Sequence, residues 1–230
     1  MQLSVKDVAK LLNVTEETIY RWIKQESIPV HRSNEQCRFS RAEIIEWATA
    51  QRIPLSADIL TESDGSKPVL SLVDIIKTGG IVHRLSGADT PTVLRNVVDA
   101  MHLPEEVDRE FLYQILLARE NLGSTGIGDG IAIPHVRNPI VLHITKPMIM
   151  LCFLEHPVNF GAIDGEPVDT LFTLISPTVR THLQLLSRLG FVLQNPAFKE
   201  ALKKKQPSEK ILEELARAES ALPAIKPQQE

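Results

Sequence analysis

The sequence is poor in cysteine and in long apolar runs, and these shortages exclude several protein classes. Only two cysteines, Cys37 and Cys152, occur among 230 residues, so a disulfide framework is not supported. The longest apolar run, residues 148–154, is far shorter than the roughly 20 residues that a membrane-spanning helix needs. No apolar signal region opens the sequence. We therefore expect a cytoplasmic protein without a membrane span.

Strongly basic segments are also missing. The net charge is −4, and residues 1–52 together carry only one net positive charge. Nucleic-acid-binding domains usually concentrate Lys and Arg on one face, so any prediction of DNA binding must rest on motifs. The sequence contains no HExxH motif and no other metal-ligand spacing, so we expect neither a metal nor a cofactor.

The first residues predict two short helices separated by a tight turn. Ser4 and Asp7 have capping-box spacing, and apolar residues then recur at helical intervals. Thr15 can cap the second helix, whose apolar side includes Trp22. The opposite face of that helix carries side chains that could reach DNA bases or phosphates: Thr18, Tyr20, Arg21 and Lys24.

A β wing and a third helix are predicted next. Pro29 prevents the second helix from continuing, and residues 30–39 predict two strands around a turn at residues 33–35. The segment Ser40-Arg41-Ala42-Glu43 has the spacing of a full capping box. It would open a helix that runs through Trp47, and we assign this tryptophan, like Trp22, to the core.

This order of elements resembles the excisionase/MerR-like winged helix-turn-helix family over residues 2–50. The motifs TIYRWI at 18–23, Ile28-Pro29 and Arg38-Phe39-Ser40 carry the resemblance. It implies DNA binding, with Thr18, Tyr20, Arg21 and Lys24 in the major groove and with Arg32 and Arg38 on the wing. A dimerisation or docking module is the alternative, because the charge of this segment is so low.

The rest of the chain divides into a linker, a larger domain and a tail. We place the N-terminal domain at 1–52, a flexible linker at 53–69, the large domain at 70–220 and the tail at 221–230. In the large domain, apolar runs alternate with helical patterns, which is typical of an α/β or α+β layer structure. We expect a mixed sheet flanked by helices, and two domains that move independently.

The stretch RENLGSTGIGDGIAIPHVR at 119–137 is the most informative. Four glycines within eight residues suit a loop whose backbone amides approach an anion such as phosphate. Nucleotide binding is disfavoured, because both the Walker and the GxGxxG spacings are broken. A histidine, His135, ends the following strand, and His182 lies in a helix that contains THLQLLSRL.

These motifs resemble the IIA domain of the fructose/mannitol and nitrogen-regulatory (type 2) branch of the phosphoenolpyruvate-dependent phosphotransferase system. The resemblance covers residues 70–218. It implies that His135 accepts a phosphoryl group and that His182 lies beside it, with further roles for Arg119, Ser124 and Thr125. Many relatives have glycine after the acceptor, whereas this chain has Val136, so we expect tighter access for the donor.

The chemistry agrees with these residue types. A ring nitrogen of histidine can attack a phosphoryl group and later release it. Hydroxyls and a cation, either protonated His182 or Arg119, can neutralise charge on the phosphoryl oxygens, so no metal is needed. Each histidine alone would more often be structural, and Arg119 could instead cap the C-terminus of its own helix.

The sequence therefore predicts a regulatory phosphohistidine carrier and not a free-standing small-molecule enzyme. It would take phosphate from the histidine phosphocarrier protein, and this state would control binding to duplex DNA, with a homodimer reading paired half-sites. Regulated partner proteins are further expected contacts. In the alternative, the helix-turn-helix domain docks a protein, and a third reading is a transcription factor that does not depend on phosphorylation.

Overall fold

The computed structural model describes residues 2–33, 36–51, 53, 55–56, 71–136 and 144–222. Most of the predicted linker and of the predicted C-terminal tail, and the predicted wing turn at Asn34 and Glu35, lie outside the described residues. Within the described part of the chain, no helix has the length and apolar character that crossing a membrane requires.

The N-terminal unit is a helix-turn-helix with a β wing, as the sequence predicts. Its elements in chain order are β1 (Gln2–Leu3), α1 (Val5–Leu11), α2 (Glu16–Lys24), β2 (His31–Ser33), β3 (Gln36–Ser40) and α3 (Arg41–Ala50). The three strands form an antiparallel sheet in the order β1-β3-β2. Strand β1 was not predicted, because two residues are too few to show a strand period.

Two of the predicted helix caps form, and the third does not. Ser4 and Asp7 make a reciprocal capping box, and Thr15 accepts from the backbone of α2. The capping box predicted at Ser40 is wrong, since the described residues show no cap hydrogen bond from its side chain. The carboxylate of Glu43 instead meets the ring of His31, with 2.6 Å between Oε2 and Nε2.

The two tryptophans are not core residues in the full sense. Trp22 and Trp47 are both half-buried, and their rings meet edge to face with centroids 5.2 Å apart. Trp47 also lines a cleft with Arg119 of the larger domain.

The larger domain is a mixed five-stranded sheet with helices packed on it, which confirms the predicted fold class. Its elements are α4 (Leu72–Gly79), β4 (Ile81–Leu85), α5 (Thr90–Ala100), α6 (Arg109–Asn121), β5 (Gly126–Gly128), β6 (Ile131–Ala132), β7 (Met148–Val158), β8 (Val168–Ile175), α7 (Val179–Val192), α8 (Pro196–Lys203) and α9 (Ser208–Ser220). The strand order is β4-β7-β8-β6-β5, and it combines parallel and antiparallel pairs.

One of the glycines expected to surround an anion, Gly130, serves a hairpin instead. Asp129 and Gly130 have φ angles of 55° and 73°, and they join the antiparallel strands β5 and β6. Two consecutive positive φ angles are the requirement of a type I′ turn, for which Asp-Gly is a preferred pair. The turn is held further by the bond from the Asp129 amide to the carboxylate of Asp164, at 2.8 Å.

The two units are packed against each other, whereas the sequence predicts independent domains. One apolar cluster runs from the N-terminal unit into the larger domain, and α3 packs on α7. At this contact Gly190 of α7 faces Thr49 of α3: a Cβ on Gly190 would lie 3.4 Å from Cγ2 of Thr49, an ordinary van der Waals distance. Linker composition alone does not reveal this contact.

Candidate functional site

The backbone of the sheet fixes the position of His135, which follows β6 directly. The residue forms an isolated parallel bridge with Leu174 of β8, and the Leu174 amide donates to the carbonyl of Pro134 at 2.9 Å. His135 and Val136 are only 4% and 2% exposed. The predicted acceptor is therefore rigidly held and covered.

One tautomer of the His135 ring follows from its hydrogen bonds. Nδ1 lies 2.8 Å from the carbonyl oxygen of Ile133, and because a carbonyl only accepts, Nδ1 carries the proton. In the neutral ring, Nε2 then has a free electron pair, and the Nε–H of Arg119 donates to it at 3.3 Å. The nitrogen that could act as a nucleophile is Nε2.

His182 lies beside this ring, as the family resemblance implies. It sits in the first turn of α7, where its amide donates to the carbonyl of the N-cap residue Thr178. The centroids of the two imidazole rings are 5.1 Å apart. Among the described residues, neither ring nitrogen of His182 has a hydrogen-bond partner.

Of the two cations that the sequence left open, protonated His182 and Arg119, the burial of His182 disfavours the first. Burial lowers its pKa from 6.5 to about 3, with smaller lowering by His135 and Arg119 and an opposing effect of Glu46. The ring is therefore neutral at pH 7. The cation of the site is Arg119.

Arg119 caps the C-terminus of its own helix, one of the two roles that the sequence left open, and it also contacts the ring of His135. It lies in the last turn of α6, and one guanidinium nitrogen, Nη1, donates to the carbonyl of Gly123 just beyond the helix, at 2.8 Å. The Nε–H reaches His135, and Nη2 donates to Oε2 of Glu46 at 3.5 Å. It closes the helix and holds the acceptor ring at the same time.

The hydroxyls of Ser124 and Thr125 take part in the structure of their loop. Oγ of Ser124 accepts from the amide of Gly126 at 2.9 Å. The buried Thr125 directs both its amide and its hydroxyl to the carboxylate of Glu120. Within the described residues, neither hydroxyl is hydrogen-bonded to His135, and their roles toward a phosphoryl group stay predictions. Sequence reasoning missed Glu120, although its position after Arg119 in the motif was a signal.

Sequence reasoning also missed Glu46, which comes from the other unit. This residue of α3 is only 7% exposed, and its Oε1 lies 3.8 Å from Nε2 of His135. Nothing in the sequence could have placed it there, because it is separated from His135 by a linker and belongs to a different motif.

Three side chains of the site could in principle hold a metal ion. Ligand atoms of Glu46, His135 and His182 lie within 4.8 Å of one another, and all three residues are buried. The guanidinium of Arg119 contacts two of the three, and a fixed positive charge there opposes binding of a divalent cation.

The residues predicted to contact DNA divide between an exposed helix face and the wing. Tyr20 is 56% exposed, and Arg21 and Lys24 of α2 are also exposed. Thr18 is half-buried and takes part in the helix cap with Thr15. Arg38 is half-buried on β3, and Arg32 lies in β2, with its side chain outside the described part of the structure.

Comparisons with known proteins agree with this geometry. The family "Phosphoenolpyruvate-dependent sugar phosphotransferase system, EIIA 2" matches residues 74–218. The chain belongs to this EIIA family. A helix-turn-helix domain family matches residues 3–52, so a second domain precedes the EIIA domain.

The relatives of the EIIA domain include nitrogen regulatory proteins. The one from Pseudomonas aeruginosa is 36% identical over 139 residues, which cover 59% of this chain and 88% of that protein. The one from Escherichia coli is 36% identical over 113 residues, 48% of this chain and 66% of that protein. The crystal structure of nitrogen regulatory protein IIA-Ntr from Neisseria meningitidis matches with a TM-score of 0.55 and 26% identity, covering 63% of this chain and 98% of that one.

The match to the EIIA family does not include Glu46. His135, His182 and Arg119 all lie inside residues 74–218, whereas Glu46 lies inside the helix-turn-helix match. The histidine pair of this EIIA domain is thus completed by a carboxylate from the neighbouring domain.

Proposed function

We propose that this chain is a regulatory phosphocarrier that accepts a phosphoryl group on Nε2 of His135. The donor would be the histidine phosphocarrier protein of the phosphotransferase system, and the reaction would take place in the cytoplasm. The observation that carries this proposal is the ring geometry: Nδ1 is committed to the carbonyl of Ile133, while Nε2 faces Arg119.

The proposed transfer balances without a metal. The electron pair on Nε2 forms a new P–N bond as the P–N bond to the donor imidazole breaks, and that pair returns to the donor ring. The Nδ1 proton of His135 stays on Nδ1, and its hydrogen bond to the carbonyl of Ile133 stabilises the positive charge that the ring gains. Arg119 would neutralise the phosphoryl oxygens, and Ser124, Thr125 and His182 would offer further polar contacts.

Incubation with labelled phosphoenolpyruvate, enzyme I and the histidine phosphocarrier protein tests the acceptor. We expect acid-labile label on the wild type and none on His135→Gln. The matched control is His102→Gln, which replaces an exposed histidine outside the site and should label like the wild type. Equal labelling of His135→Gln would refute the assignment.

We further propose that phosphorylation controls DNA binding by the helix-turn-helix domain. The exposed residues Tyr20, Arg21 and Lys24 on α2 support this, and so do the relatives named nitrogen regulatory proteins. Binding of duplex DNA should weaken steeply as salt rises, because counterions are released from the phosphates. Fluorescence anisotropy at several salt concentrations tests this, and replacement of Arg21 and Lys24 should reduce the salt slope.

A docking role for the helix-turn-helix domain is the second candidate. The packing of α3 on the EIIA domain favours it, because this domain already uses one of its helices for a protein contact. The absence of duplex binding at low salt would select this alternative. If the His135→Gln variant regulates its target genes like the wild type, the protein is instead a transcription factor that does not depend on phosphorylation.

A further inference from the structure

We propose that α3 of the helix-turn-helix domain is a removable cover over the acceptor histidine. In this scheme the docking of α3 and the phosphorylation of His135 exclude each other, and Glu46 is the residue that makes docking sensitive to the phosphoryl group. The inference rests on the proposed acceptor role of His135, and it adds a mechanism for its regulation.

Helix α3 blocks access to the acceptor ring. His135 and His182 are 4% and 1% exposed with α3 in place. A donor histidine must approach the phosphorus atom from the side opposite Nε2, in line with the new bond. The Glu46 carboxylate lies 3.8 Å from Nε2, so a phosphoryl group on that nitrogen would come within a few ångströms of it. Transfer therefore requires α3 to leave.

The charges at the site also set Glu46 against a phosphoryl group. In the docked state the guanidinium of Arg119 serves both Glu46 and His135. A phosphoryl group brings roughly 1.5 to 2 negative charges, judged from phosphorylated hydroxyl residues. It would compete with Glu46 for Arg119 and repel the carboxylate across a few ångströms of buried space. The Glu46 carboxylate and a phosphoryl group on Nε2 would thus compete for the same guanidinium.

Helix α3 packs on a surface of the EIIA domain that a donor protein would also need. Ile45 and Ala48 of α3 are fully buried within the apolar cluster that joins the domains, and Thr49 lies against Gly190 of α7. Beside this contact surface of α3, Leu122 is 77% exposed and lines a cleft with Arg119 and Trp47. An incoming donor would compete with α3 for this face of the EIIA domain.

The cover leaves the proposed DNA-reading helix open. Tyr20 on α2 is exposed while α3 is docked. Phosphorylation would therefore change the freedom of the helix-turn-helix domain relative to the EIIA domain, without covering or uncovering α2. In this scheme, phosphorylation of His135 acts by releasing the helix-turn-helix domain from the EIIA domain.

A reversible disulfide between α3 and α7 tests the exclusion directly. A Cβ at position 190 would lie 4.0 Å from the Cβ of Thr49, within the usual range for a disulfide of about 3.5–4.5 Å. The variant is Thr49→Cys with Gly190→Cys in a Cys37→Ser background. Cys152 can stay, because burial raises the pKa of its thiol to about 12 and makes it unreactive.

Phosphorylation of this variant by the phosphocarrier protein is then measured in the oxidised and the reduced state. We expect the oxidised form to be phosphorylated at least about tenfold more slowly, within the range usual for coupled sites, and reduction to restore the rate. Equal rates in both states would overturn the cover. If neither the reduced variant nor the wild type is labelled, the acceptor role itself fails, which is a different result. Gly190→Cys alone controls for the loss of the glycine.

The role of Glu46 is tested by the rate at which the same two cysteines cross-link. Prior phosphorylation of His135 should slow disulfide formation about tenfold. Adding Glu46→Gln should reduce this slowing, because the repelling charge is gone. The matched control is Glu43→Gln on the same helix, whose carboxylate contacts His31, and it should leave the slowing intact. The same slowing in both variants would overturn the assignment to Glu46.

Discussion

The buried ring of His182 predicts how the stability of the protein depends on pH. Burial lowers its pKa from 6.5 to about 3, so between these values the unfolded chain binds a proton that the folded chain does not. Acidification in this window therefore favours unfolding, by at most about 1.4 kcal/mol per pH unit. From pH 7 to pH 5 the loss amounts to about 2 kcal/mol, and it levels off only near pH 3.

The variant His182→Leu removes this titration and places an apolar side chain next to the neighbouring leucines. Urea unfolding followed by circular dichroism at pH 7, 6 and 5 gives the free energy of unfolding for each protein. We expect the wild type to lose about 2 kcal/mol more than His182→Leu over this range. The exposed-histidine variant His102→Gln should follow the wild type. The reasoning is refuted if the wild type and His182→Leu lose stability in parallel.

Three further variants test other parts of the structure. Glu219→Ala leaves the buried guanidinium of Arg188 without its carboxylate. Urea unfolding should show a free energy of unfolding lower by about 3–5 kcal/mol. A loss of about 1 kcal/mol or less, which is typical of a surface ion pair, would contradict this. Gly130→Val places a branched side chain at a φ of 73° and should cost at least about 1–2 kcal/mol, which an unchanged urea midpoint would disprove. Arg119→Gln should slow phosphoryl transfer in single-turnover measurements by about 100-fold, and a rate near that of the wild type would remove the arginine from the mechanism.

Much of the fold could be predicted because local chemistry decides it. The cap at Ser4, the cap at Thr15 and the alternation of apolar runs in the larger domain all act over a few residues, and the structure contains them. Helix α4 and strand β5 were missed. The first follows a segment without a clear period, and the second lies inside a glycine-rich motif that favoured an anion-binding interpretation.

The site divides in the same way. His135, His182 and Arg119 are brought together as the family motifs imply, because all three belong to one domain. Glu46 could not be predicted, since its position depends on how two separate domains pack. The charge state of His182 could not be predicted either. It depends on how deeply the ring is buried, and a helical pattern with flanking leucines does not give that depth. The capping box at Ser40 failed for a related reason, because Glu43 has a partner, His31, from another element.

The most direct test of the account is the identity of the phosphorylated nitrogen. Phosphorus-31 and nitrogen-15 NMR of the phosphorylated chain can distinguish a phosphoryl group on Nε2 from one on Nδ1 through the coupling of phosphorus to the ring nitrogen. Because the Nδ1 proton is held by the carbonyl of Ile133, the account predicts one phosphohistidine, at His135 and on Nε2. A phosphoryl group on Nδ1, or on any residue other than His135, would contradict it.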